Sequence, residues 1–140
     1  MSLRWVVDAS LGLAWVHPHQ ATVETDRLLR RLTEGVTLVV PALWFQEMAN
    51  ALLVLERRRK LRAEERREAL ATLGGLNVTV DFEGATLAFG KVSEMAERCG
   101  LSVYDATYVE LALRDGLPLG TTDEALRKAA RQSGIPLLIG

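Results

Sequence analysis

Trp5-Val6-Val7-Asp8-Ala9-Ser10 sets the reading of the chain. The apolar run Trp5 to Val7 is short and stops at an acid, which suits a buried strand better than a helix. Ser10 then stands where it would cap a short helix through Val16, and His17-Pro18-His19 follows as a surface loop. The same alternation continues outward. A helix is expected from Ala21 to Glu34, with Val23, Leu28, Leu29 and Leu32 on one face and Gly35 as its stop. Thr37 to Val40 reads as a second strand, and Pro41 suits the first turn of a long helix through Arg59.

Further on, a helix from Ala63 to Leu73 ends in Gly74-Gly75, and Asn77 to Val80 is a short or edge strand. Gly84 to Cys99 reads as one helix with the stripe Leu87, Val92, Met95 and Ala96, stopped by Gly100. Val103 to Asp115 is helical and ended by Gly116. Leu117 to Thr121 is a strand, Asp123 to Gln132 a helix, and Pro136 to Ile139 a last strand. Strands alternating with helices predict an α/β fold, with a central parallel sheet and helices on both faces.

The 140 residues suit one domain, residues 1–140, large enough to fold without a disulfide or structural metal. Hydrophobic residues make up 49% and charged residues 25%, the balance of an ordinary globular protein. Cys99 is alone and has no partner for an internal disulfide, which favours a reducing, cytoplasmic setting. It reads as a buried or half-buried apolar residue. The stretch Met1 to Asp8 is too short in apolar residues for a signal peptide, and no run approaches a membrane span. A net charge of −1 argues against binding nucleic acid over the whole surface. One basic run stands out, from Arg57 to Arg67, weakened by Glu56, Glu64, Glu65 and Glu68; it reads as ion-paired helix ends or as a contact for RNA or a partner.

Chemistry in open α/β sheets gathers beyond the carboxyl ends of the strands. Asp8 closes the first strand and Asp123 follows the late one. Glu47 lies one to two turns into the helix after the second strand, and Asp105 lies in the first turn of the helix beginning near Val103. Taken alone, Asp123 reads as a cap or turn former and Asp105 as a complement to the helix dipole. Glu47 stands out because its surroundings, Ala42 to Ala49, are largely apolar. Four carboxylates drawn together need compensating charge, and a hard divalent cation supplies it. Such a site suits phosphoryl chemistry.

Four segments, in order, carry a resemblance to a known family: Val6-Val7-Asp8-Ala9-Ser10, Pro41 to Leu52, Tyr104-Asp105-Ala106-Thr107-Tyr108, and Leu119 to Leu126. The chain resembles the PIN-domain ribonucleases, and among them the VapC-type toxins of toxin–antitoxin pairs. The resemblance implies that Asp8, Glu47, Asp105 and Asp123 are the acids that bind Mg²⁺ or Mn²⁺, with Asp8 and Asp105 ligating directly. Glu47 and Asp123 would complete the pocket directly, through water, or with a second metal. Ser10 and Thr121 match positions where the family keeps a hydroxyl, and Asn50 matches a supporting amide or else sits on the helix surface. No His or Lys matches a family base, so water activated by the metal is the expected nucleophile.

The resemblance also implies an RNA substrate, a homodimer, and an antitoxin that covers the acids and alone brings the complex to DNA. Apolar residues between Leu52 and Leu73 are the expected partner surface. The alternatives are a housekeeping PIN nuclease of RNA processing or decay, and a non-catalytic α/β module such as a phospho-acceptor receiver. The latter would pair acids near the first strand with a late lysine, and Thr121-Thr122-Asp123 has none. His17 and His19 as metal ligands, and Trp5, Trp15, Trp44 and Phe45 as base-stacking residues, are weaker readings than a surface loop and a core or interface role.

Overall fold

Burial along the strands shows how the layers are arranged. Trp5, Val6 and Val7 of β1 (Arg4–Val7) are all buried in succession, as are residues 38–41 of β2 (Thr37–Pro41). Side chains of a strand alternate between faces, so unbroken burial requires cover on both. The computed structural model, which describes residues 3–140, adds β3 (Val78–Asp81) and β4 (Leu119–Gly120) and places the four strands in the order β3-β2-β1-β4. All pairings are parallel, as predicted, with Val6 facing Val39 on one side and Leu119 on the other. Met1 and Ser2, part of the N-terminal stretch read for a leader, lie outside the described residues.

The remaining elements are α1 (Ala9–Val16), α2 (Val23–Arg31), α3 (Leu43–Arg57), α4 (Ala63–Gly74), α5 (Glu83–Thr86), α6 (Ser93–Cys99), α7 (Val103–Asp115) and α8 (Glu124–Gln132). α7 is the central helix. It packs on β1, β2 and β4 and is buried continuously from Ala106 to Ala112. Gly116, at φ 65°, stops it in the left-handed conformation that glycine adopts without strain. α1 packs against α3, and both start at the carboxyl ends of strands. Among the described residues no helix is long and apolar enough to cross a membrane.

Several elements depart from expectation for local reasons. Asp8, not Ser10, caps α1, its carboxylate accepting from the Leu11 amide at 3.1 Å. Pro41 ends β2 rather than opening a helix; lacking an N–H, it is tolerated at a strand end. Val23 is exposed on α2 because the inward face is turned to Thr25, whose carbonyl accepts from Trp15 Nε1 at 2.9 Å. The expected helix from Gly84 to Cys99 is broken at Gly90 (φ −116°, ψ −108°), and Ser93 Oγ bridges the kink to the Ala88 carbonyl. The late strand shrinks to Leu119–Gly120, and Pro136 to Ile139 adds a single bridge from Leu137 to Leu119. His17 is buried rather than on a surface loop, while His19 is exposed.

Part of the expected partner surface is taken up inside the chain, while Leu53, Leu55 and Leu70 stay partly exposed. Leu52, Leu61, Ala69 and Leu73 belong to this chain's own core. The most exposed large apolar side chains lie elsewhere, Phe89 (101%), Phe82 (70%), Val23 (69%) and Tyr104 (67%), with Leu3, Phe45, Val103 and Leu113 less so.

Candidate active site

Strand pairing brings Asp8 and Thr121 together. The register Val7↔Gly120 and the bond from the Asp8 amide to the Gly120 carbonyl, 3.2 Å, set the ends of β1 and β4 side by side. Gly120 permits this approach: a Cβ there would lie 2.6 Å from Leu11 Cδ2 and 3.0 Å from Leu138 Cδ1. Asp8 is 4% exposed. Its carboxylate accepts from Ser10 Oγ at 2.7 Å, Thr121 Oγ1 at 2.6 Å and the Leu11 amide. The Trp44 indole donates to the Asp8 carbonyl at 3.2 Å, which ties α3 to the same turn.

The two hydroxyls have defined polarity. Each has one proton, and each spends it on Asp8. Their lone pairs accept backbone N–H groups, Thr122 onto Ser10 Oγ at 2.9 Å and Asp123 onto Thr121 Oγ1 at 3.0 Å. The loop after β4 is thereby stapled to the turn after β1.

The other three acids reach the same end of the sheet from three helices. Glu47 is half-buried on α3 and accepts a short hydrogen bond from the Tyr108 hydroxyl. Asp105, half-buried, lies in the first turn of α7, where its amide donates to the Ser102 cap. Asp123 is exposed and caps α8, accepting from the Leu126 amide at 3.1 Å. Burial raises the Asp8 carboxyl above its ordinary value, and its hydrogen bonds hold it down in part; Asp123 raises it further. Glu47 is raised by burial, opposed by Tyr108, and raised again by the charges of Asp105 and Asp8. Asp105 is raised by burial and then by Asp123. The acids are thus linked in a chain of pairs, Asp105 to Glu47, Glu47 to Asp8, Asp8 to Asp123 and Asp123 to Asp105.

No cation answers them. Among the described residues none of the four forms a salt bridge. The nearby knot behaves differently: Arg114 binds Asp81, Glu83 and buried Glu110 together, and hydrogen bonding to Asp81 holds its guanidinium charged. The acids do not close into a ready-made cage either, since among the described residues no three His, Cys, Asp or Glu side chains converge to hold an ion. All-oxygen donors without a cation fit a hard divalent metal that keeps several of its waters.

Asn50 lies one turn beyond Glu47 but is exposed, and among the described residues no hydrogen bond joins it to the acids. Tyr108 is the residue that sequence reasoning missed. It stands three residues after Asp105, on the same face of α7, yet an aromatic ring at that spacing reads as core, and its ring is indeed buried.

The PIN domain family model matches residues 5–132. Ribonuclease VapC3 of Pyrobaculum aerophilum is 31% identical over 124 residues, covering 89% of this chain and 92% of that protein. Among solved structures, PAE2754 from Pyrobaculum aerophilum superposes with a TM-score of 0.69 at 24% identity, covering 91% of this chain and 79% of the other. VapBC2 from Rickettsia felis, solved bound to a DNA fragment from their promoter, gives 0.66 at 14% identity over 96% and 97% of the two chains. FitAcB from Neisseria gonorrhoeae gives 0.64 at 13% over 95% of each. With the family model covering nearly the whole chain and a ribonuclease aligned over most of its length, this protein belongs to the PIN domain family.

Proposed function

We propose that this chain is a metal-dependent endoribonuclease acting as the toxin of a toxin–antitoxin pair, with Asp8, Glu47, Asp105 and Asp123 as its catalytic acids. What supports the reading is that these acids influence one another in pairs, Asp8 with Asp123 and Glu47, and Asp105 with Glu47 and Asp123, and that among the described residues none has a cationic partner. Likeness to ribonuclease VapC3 supports RNA as the substrate class, and the resemblance to the VapC-type toxins supports the toxin role.

Asp8 and Asp105 are the direct ligands in this reading, and Glu47 and Asp123 complete the pocket. A bound Mg²⁺ or Mn²⁺ would neutralise the acids, polarise a phosphate oxygen and make water a better nucleophile. The chain's own contribution is orientation. Ser10, Thr121 and the Leu11 amide fix the Asp8 carboxylate, and Tyr108 fixes Glu47. No Lys or Arg side chain competes with the metal for these oxygens among the described residues.

Two partners belong to the same proposal. A second copy of the chain would cover exposed apolar side chains such as Phe82, Phe89, Val103 and Tyr104. An antitoxin protein would mask the acids and carry any DNA contact. The direct test is cleavage of a structured RNA by purified protein. Activity should need Mg²⁺ or Mn²⁺ and stop in EDTA; undiminished cleavage in excess EDTA would rule out the mechanism.

A further inference from the structure

A second polar site lies at the far end of α1 and α3. His17 follows α1 directly, is 4% exposed, and its Nδ1 has no hydrogen-bond partner among the described residues. The ring packs edge-on against His19, centroids 5.4 Å apart, and forms a wall of a cavity of about 560 Å³ with Gln20, Leu55, Arg59 and Lys60. A buried imidazole nitrogen without a partner is costly, and the ring that carries it stands beside this cavity.

Arg59 gives an independent indication. Among the described residues it is the one non-glycine with positive φ, at 60°; Gly35, Gly100, Gly116 and Gly134 occupy the others. It sits just beyond the end of α3, held by the bonds from its amide to the Glu56 carbonyl and from the Lys60 amide to the Leu55 carbonyl, both 2.9 Å. Glycine would take this left-handed position without strain. An arginine there is explained if its guanidinium is needed in the cavity it lines.

The charge balance selects the ligand. The nearby acids are committed, Glu56 to Arg66 at 2.8 Å and Glu65 to Arg62 at 3.2 Å. Among the described residues Arg57, Arg58, Arg59 and Lys60 form no salt bridge. Separate guanidinium, ammonium and imidazole donors suit an oxyanion with several acceptor oxygens. A protein partner would want an apolar centre, and Leu55 is the cavity's only large aliphatic wall. Arg59 follows Glu47 by twelve positions, about 18 Å of helical rise, a span that a few nucleotides of single-stranded RNA would cover.

We propose that this cavity binds a backbone phosphate of the RNA substrate, a few nucleotides from the bond that is cut. The proposal rests on the ribonuclease reading. Its test is binding of a fluorescein-labelled single-stranded RNA in EDTA, followed by anisotropy across a salt series, for the wild type, Arg59→Gly and Lys60→Gln. Arg59→Gly should melt no lower than the wild type, bind roughly 5–10-fold more weakly, and lower the slope of log affinity against log salt by about 0.7. The His17 Nδ1 resonance should shift when RNA is added to the wild type. Unchanged affinity and slope in both variants, with Mg²⁺-dependent cleavage intact, would overturn this site and leave the ribonuclease reading standing. Wild-type RNA affinity together with weakened binding of the antitoxin would make it a protein-docking site instead. A wild type that neither binds nor cuts RNA would overturn both readings.

Discussion

Thr121 donates its hydroxyl to Asp8 Oδ2 across 2.6 Å, joining residues 113 positions apart in sequence. With Ser10 on the other oxygen, it opposes the upward push of burial on the Asp8 carboxyl in the absence of a salt bridge. The same carboxylate caps α1, so a structural and a chemical role coincide in one side chain.

That coincidence sets the behaviour of Asp8→Asn. The amide keeps an oxygen for the Leu11 amide and so keeps the cap. It removes a buried charge that Asp123 and Glu47 oppose. In EDTA the variant should be more stable by about 1 kcal/mol, a melting-point rise of roughly 3–5 °C. Millimolar Mg²⁺ should raise the melting point of the wild type and leave the variant nearly unchanged. Thermal scans of both proteins with and without Mg²⁺ decide it. A variant that melts lower in EDTA and responds equally to Mg²⁺ would place the metal elsewhere.

Tyr108→Phe tests the orientation of Glu47. The ring is buried and its shape is kept, so only the hydroxyl that donates to Glu47 is lost. Without that donor the Glu47 carboxyl rises further, because Tyr108 is the group that lowers it. Cleavage at limiting Mg²⁺ should fall roughly 10–100-fold and recover in part as Mg²⁺ is raised. An unchanged Mg²⁺ dependence of cleavage would mean that Glu47 does not depend on Tyr108.

Acid titration of the metal-free protein has an unusual expected sign. Asp8, Glu47 and Asp105 all titrate above their ordinary values. Between the ordinary and the raised value the folded chain holds protons that the unfolded chain has released, so stability rises as pH falls through the folded pKa. Asp81 moves the other way. Its hydrogen bond from Arg114 lowers it, and its contribution is lost only as pH falls below the ordinary carboxylate range. In EDTA the melting point should therefore climb from neutral into mildly acidic pH and turn over below about pH 4. With Mg²⁺ present, protons compete with the metal, and acidification should lower the melting point throughout. A metal-free profile that only falls with acid would contradict the raised values.

Much of this was legible in the sequence because strand–acid and glycine–stop signals are local. The end of β1 at Asp8 and the stop of α7 at Gly116 follow from neighbouring residues alone. The choice between Asp8 and Ser10 as cap did not, because both are good caps two positions apart. What recruits Ser10 to Asp8 and the Thr122 amide is a loop more than a hundred residues away. The kink at Gly90 was hidden by an apolar stripe that continues through it, and Tyr108 by a ring that belongs to the core. Leu52 to Leu73 looked free because helix periodicity shows a face without showing what covers it; here α4 packs on α1 and α3.

A second candidate surface for the expected dimer lies beside the kink. Gly90 breaks the helical path beside Phe89, whose ring is entirely solvent-exposed. Phe82 and Tyr104 are also largely exposed, and a second copy of the chain covering such aromatic side chains is the proposal under test. A second copy would remove them from water, and loss of one central ring at an interface typically costs at least 2 kcal/mol. Phe89→Asp leaves the core untouched, since the side chain contributes nothing to it. The wild type should therefore weigh as a dimer by light scattering at micromolar concentration, and Phe89→Asp as a monomer with a similar far-ultraviolet circular dichroism spectrum. Leu53→Asp, in the stretch first expected to pair, should leave the wild-type mass unchanged if it folds. A dimer that survives Phe89→Asp and dissociates with Leu53→Asp would return the interface to α3 and α4.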